Sequence, residues 1–99
     1  MILYFADRKM NILGQASTSL PEGVIISNDR KTEEVDEGVA ILEFDLEYDP
    51  EWRKKAEAWT EAGNYILRKD GDDREFYTII SREKDPVNGS VNDIYAEDA

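Results

Sequence analysis

Four carboxylates, Glu43, Asp45, Glu47 and Asp49, recur at every second position of one run. In an extended strand this spacing puts successive side chains about 7 Å apart on one face. Two carboxylates roughly 5 to 9 Å apart can act as the acid and base of glycoside hydrolysis, and a group of them can hold a hard cation such as calcium. The same alternation is what any half-solvated strand shows, and Arg68, Lys69, Arg74, Arg82 and Lys84 lie on segments able to pair beside it. The favoured reading is a solvated or salt-bridged face. Glu43, Asp45 and Glu47 stay as the residues of an alternative, a carboxylate-based cell-wall hydrolase or a calcium-binding domain.

The other constellations carry less chemistry. Asp70-Gly71-Asp72-Asp73 resembles part of a calcium loop, but such a loop needs Gly at its sixth position, a bidentate Glu at its twelfth and flanking helices; here Gly comes second, and the stretch reads as a turn. Trp52 and Trp59, with Tyr48 and Tyr65 near them in sequence, could form a sugar platform, although aromatics at helical spacing more often dock a helix onto a sheet. Asn88-Gly89-Ser90 matches a glycosylation triplet without a secretory signal to give it meaning. Gly14 to Ser19 lacks the second Gly and the Lys of a phosphate cradle. The expected catalytic, cofactor-binding and metal-binding sets are therefore empty.

Composition agrees. The chain has no Cys and no His, which removes thiolate zinc sites, disulfides, Cys nucleophiles and Ser-His-Asp triads. Twelve Lys and Arg against 23 Asp and Glu give a net charge of −11, so phosphate backbones and anionic membranes repel it. No nucleic-acid, membrane or small-molecule ligand is expected. Ninety-nine residues suit one domain, and ten aromatic residues exceed the profile of disordered acidic chains. The N-terminus, Met1 to Phe5, with four apolar residues after the initiator, is too short for a signal-peptide core or a membrane span.

The elements that must position these residues can be read along the chain. Ile2 to Ala6 and Met10 to Ala16 flank the polar turn Asp7-Arg8-Lys9, as in a hairpin. Pro21-Glu22-Gly23 is turn chemistry before the β-branched Val24-Ile25-Ile26. Residues 27–38 hold five carboxylates, two bases and one apolar side chain, which predicts a mobile surface loop. Val39 to Tyr48 has Ala40, Leu42, Phe44, Leu46 and Tyr48 on one face, a strict period of two. Asp49-Pro50 reads as an N-cap followed by Pro at the first helical position, and Trp52, Ala56 and Trp59 make one apolar stripe, so a helix is predicted from Pro50 to Ala62, with Gly63 as its stop. Asp70-Gly71 separates strands over 64–69 and 74–82, and Asn88-Gly89 precedes a last strand over 91–96. The predicted class is α+β, mainly β: an antiparallel sheet or partly open β-barrel with one helix, about 50–62, packed on it.

Three stretches then matter together: Ile2-Leu3-Tyr4-Phe5-Ala6-Asp7-Arg8 with Ile12-Leu13-Gly14-Gln15-Ala16-Ser17-Thr18, the segment from Gly63-Asn64-Tyr65-Ile66-Leu67 to Glu75-Phe76-Tyr77-Thr78-Ile79, and Ile94-Tyr95-Ala96-Glu97-Asp98-Ala99. In order and spacing they resemble the N-terminal region of phage and prophage minor structural proteins, the tail-associated lysin or prophage tail endopeptidase family of Gram-positive hosts. The resemblance implies a β-rich tail-tip hub domain, residues 1–99 being the front of a longer protein that is made in the bacterial cytoplasm and ends in the virion tail. It implies a homo-oligomer, a trimer in the full-length protein, meeting the distal tail protein and the tape-measure protein. Lytic or peptidase activity would belong to later domains, and no catalytic residue carries over. A generic adaptor whose acidic face takes a basic partner is the third possibility, marked by steep salt sensitivity.

Overall fold

A computed structural model describes residues 1–19, 23–34 and 38–98. Among these described residues seven strands close into a barrel: β1 Ile2–Ala6, β2 Ile12–Ser17, β3 Val24–Glu34, β4 Val39–Tyr48, β5 Tyr65–Asp70, β6 Asp73–Asp85 and β7 Ser90–Asp98. Around the barrel the order is β1-β2-β3-β4-β7-β6-β5, with β5 returning to β1. The mainly β class stands, and the sheet is closed rather than open. All neighbours are antiparallel except β2 and β3, which run parallel and, among the described residues, meet in one residue pair, Ser17 with Ile25. These two strands are thus staggered: most of β2 lies to one side of the bridge and most of β3 to the other.

Alternation fills the interior. Leu3 and Phe5 from β1, Leu42, Phe44 and Leu46 from β4, Ile66 from β5, Tyr77 and Ile79 from β6, and Val91 and Ile94 from β7 are all essentially inaccessible. Strand β4 has the predicted pattern, with Leu42, Phe44, Leu46 and Tyr48 buried and Val39 and Ile41 half-buried. The turns expected from sequence form as well. The Asp7 carboxylate accepts the Lys9 and Asn11 backbone N–H groups at 2.9 Å each, and Asp70 pairs with Asp73 across the two-residue loop Gly71-Asp72. Pro21 and Glu22 of the proposed turn lie outside the described residues.

Three expectations need correction. The loop predicted over 27–38 is strand as far as Glu34, laddered against β4 from Val24–Tyr48 to Glu34–Val39; residues 35–37 fall outside the described residues. Too few apolar side chains for a core do not forbid a strand when β4 supplies backbone partners and Glu43 faces Arg30. The helix predicted over 50–62 is a 3₁₀ turn, Pro50–Trp52, continued by α1, Arg53–Trp59. It stops early because side chains take its last carbonyls: Thr60 Oγ1 donates to Ala56 O at 2.9 Å, and Asn64 Nδ2 donates to Ala58 O and Trp59 O at 3.0 and 3.1 Å. Asp49 has the extended backbone of an N-cap but makes no side-chain capping bond. Strands β6 and β7 also run past the predicted 74–82 and 91–96, to Asp85 and from Ser90 to Asp98.

The helix docks through the predicted stripe, Ala56 and Trp59 buried and Trp52 packed against the core. Trp59 stacks on Phe5 with ring centroids 5.7 Å apart, and Phe5 meets Phe44 on the facing wall at 6.2 Å. The indole therefore plugs one end of the barrel, filling the wedge that the β2/β3 stagger leaves. Gly14, opposite Phe5 on β2, is where it lies against the backbone. Gly63 (φ +94°) serves the next turn: Arg8 crosses it to donate to Ala62 O at 3.4 Å, where a Cβ would stand 2.5 Å from the guanidinium.

Candidate functional site

The carboxylate face of β4 is real but divided. Bulges interrupt the ladder on both sides of it, between Ser27 and Arg30 on β3 and between Phe44 and Leu46 where β4 meets β7. Each bulge holds a non-glycine residue in left-handed conformation, Asn28 (φ 51°) and Asp93 (φ 49°), as this residue type tolerates. Asp45 stands between them. Its Oδ2 accepts Asn28 Nδ2 at 2.8 Å and its Oδ1 accepts the Asp93 backbone N–H at 2.8 Å. One carboxylate thus ties both bulges to the central strand.

Around Asp45 lies an open groove of about 470 Å³, lined by Asn28, Arg30, Glu43 and Asp93 among others. Glu43 is paired with Arg30 at 3.5 Å, and Glu47 and Asp49 are exposed, Asp49 beyond the end of the strand. Among the described residues no three acidic side chains are grouped so as to hold a metal ion. The expected partners of this face were also misplaced. The strands beside β4 are β3 and β7, so Arg30, in the segment read as a loop, takes Glu43. Arg68 pairs with Glu75 and Asp70 instead, and Arg82 donates to Glu57 O of the helix at 3.2 Å. Asp45 was identifiable from alternation; Asn28 and Asp93 had only their tolerance of positive φ as a signal.

The strongest polar constellation was missed altogether. At the barrel end opposite Trp59, β3 runs free of β2, and the gap is bridged by charge. Lys31 Nζ meets Glu75 Oε2 at 2.6 Å and Glu33 Oε1 at 3.1 Å, and Arg68 Nη1 meets Glu75 Oε1 at 2.9 Å. Lys31 faces Leu42 in register and Arg68 faces Glu75, so these charges continue the inward-pointing rows of the core. Glu75 and Arg68 are 25% and 13% exposed, enough shielding for the pairs to matter more than ordinary surface bridges. One end of the barrel is closed by indole and the other by ions.

The ions set a pH dependence. The hydrogen bond that Lys31 donates to Glu75, then the one it donates to Glu33, raises its ammonium well above its ordinary value. For Glu75, burial pushes upward, but Lys31 and Arg68 outweigh it and hold the carboxyl below its ordinary 4.5. A depressed carboxyl stabilises the fold above its unfolded pKa and loses that contribution as pH falls through the folded value; a raised ammonium does the reverse on the alkaline side. The Lys31–Glu75 contribution is therefore flat across neutral pH and falls off below about pH 4.5. Urea midpoints measured from pH 3 to 8 should drop on the acid side, and Glu75→Gln should lower the neutral plateau while making the acid limb shallower. An unchanged acid limb in that variant would mean that other carboxylates, such as Asp7, carry the acid sensitivity.

No protein-family pattern, curated protein or solved structure matches this chain.

Proposed function

We propose that this chain is a non-enzymatic assembly module of a phage or prophage tail-tip hub, a part of the ring that joins the distal tail to host-contacting or lytic domains. The observation that carries the proposal is the ordered three-part sequence pattern at 2–18, 63–79 and 94–99. Supporting it is the employment of the polar side chains. Asp45 holds two bulges, Glu43 holds Arg30, and Lys31, Arg68 and Glu75 hold a barrel end, which leaves the most chemically suggestive residues in structural service. The hydrolase alternative gains nothing from this arrangement, since Glu43 and Asp45 are engaged and Glu47 is exposed on the rim.

On this reading the ring is a trimer in the full-length protein, and its neighbours are the distal tail protein and the tape-measure protein. Light scattering on the protein encoded by the whole reading frame should give three times the protomer mass. A strict monomer at high concentration would count against the ring.

A further inference from the structure

Beyond Asn28, strand β3 is laddered on one side only. Ser17–Ile25 is its single pair with β2, and among the described residues no other strand takes the outer edge. Residues Asn28 to Glu33 are all exposed. Such an edge is a ready template for another strand unless it is guarded, and lysine is a common guard. Lys31 does not guard this one, because its ammonium is drawn inward onto Glu75 and along the strand onto Glu33.

The order of charges points to an occupant. Over Arg30-Lys31-Thr32-Glu33-Glu34 the bases precede a central Thr and the acids follow it. When two copies of such a strand pair antiparallel about a two-fold axis through Thr32, Lys31 of each stands opposite Glu33 of the other, Arg30 opposite Glu34, and Thr32 opposite Thr32. Directly opposed residues must share a face of the sheet, so the allowed neighbouring registers are two residues away. One sets Lys31 against Lys31, with Asp29 opposite Glu33; the other sets Glu33 against Glu33. Opposite charges across strands stabilise and like charges destabilise, so one register is selected. Arg30 and Glu33 have the freedom to re-pair, their side chains being 74% and 68% exposed.

We propose that the outer edge of β3, residues 30–34, is a self-association surface through which two copies of this chain pair antiparallel about Thr32. The contact is isologous, as a two-fold interface must be. A five-residue edge buries less than the roughly 1,000 Å² of a stable interface, and each copy carries −11, so the dimer is weak and depends on concentration. It is separate from the ring of the hub reading: the 99-residue chain alone reports the edge, whereas the longer protein reports the ring.

Sedimentation of the 99-residue chain from 10 μM to 1 mM at moderate salt should show a mass rising from 11.4 kDa toward twice that value. Glu33→Lys sets lysine against lysine and should weaken the dimer at least tenfold; Lys31→Glu sets glutamate against glutamate with the same result. Mixed one to one, the two variants should form a heterodimer as tight as the parent pair, because the introduced glutamate of one then meets the introduced lysine of the other, and the remaining Lys31 meets the remaining Glu33. Should Lys31→Glu fail to fold for want of its bond to Glu75, Arg30→Glu, at an exposed side chain, and Glu34→Lys replace the two variants: each alone sets like charges opposite and should weaken the dimer, and mixing them restores an opposite-charge pair at both ends. A chain that stays monomeric to 1 mM, a dimer indifferent to Glu33→Lys, or variants that do not recover on mixing would overturn the proposal.

Discussion

Trp59→Ala should cost about 3 to 5 kcal/mol, the usual range for deleting a large buried aromatic. For a domain of 99 residues that is a large part of a total stability of roughly 5 to 15 kcal/mol, so the variant should melt some 15 to 30 °C lower or be partly unfolded at room temperature. The cost is high because the indole does two jobs. It is only 5% exposed, stacked on Phe5, and it fills the end of the barrel that the stagger of β2 and β3 leaves unsealed. Removing it opens a cavity between Phe5 and Gly14 and frees the helix, whose other aromatic, Trp52, packs only from the rim. Thermal melts followed by circular dichroism check this, with Trp52→Ala as comparison at about 1 to 2 kcal/mol. Equal losses in the two variants would mean that Trp59 is not the plug.

The second large effect is expected where the backbone meets that plug. Gly14 is not among the glycines with positive φ, so its conformation suits any residue. In an open strand, replacing such a glycine by alanine would be expected to stabilise by about 0.5 to 1 kcal/mol. Here the added Cβ would fall on the indole of Trp59, which is itself buried and stacked on Phe5. Gly14→Ala should therefore destabilise by about 2 to 3 kcal/mol, the range for an overpacked core. The sign alone discriminates: a gain in the urea midpoint would show that the contact is loose. In a Trp59→Phe background, where the smaller ring leaves room, most of the loss from Gly14→Ala should disappear. That non-additivity is the signature of direct contact.

How far the sequence discloses this molecule depends on whether the signal is local. Strand β4 was legible because its period of two is written in adjacent residues, and so were the Asp7, Asp70-Gly71 and Asn88-Gly89 turns and the face of Trp52, Ala56 and Trp59. Each rests on backbone or side-chain preferences within a few positions. The length of β3 was not legible. Its stability comes from partners elsewhere in the chain, the β4 ladder and Glu75, while its own composition is that of a solvated loop. The early end of the helix was hidden for a similar reason, since Asn64 reaches back for Ala58 and Trp59 from a position where its backbone carbonyl is held by the Ile79 N–H of β6.

The candidate site divides in the same way. Alternation found Asp45 but not that two bulges from different strands would occupy both of its oxygens, which turns a possible acid or base into a fastener. By sequence alone Arg68 is a base available to β4, yet the closed strand order puts it on the far side of the barrel, beside Glu75. The purpose of Gly14 is visible only when Trp59 is seen against it. In each case the missing information is a contact between residues distant in sequence, which no local pattern encodes.

The hub reading is tested most directly by locating the chain in tailed particles. Particles induced from the strain that carries this reading frame can be labelled with gold-conjugated antibody raised against residues 1–99 and viewed by electron microscopy. Gold should be confined to the distal end of the tail, with the chain also detected by mass spectrometry of the purified particles. Particles free of the chain, or gold spread over capsid or tail tube, would contradict it.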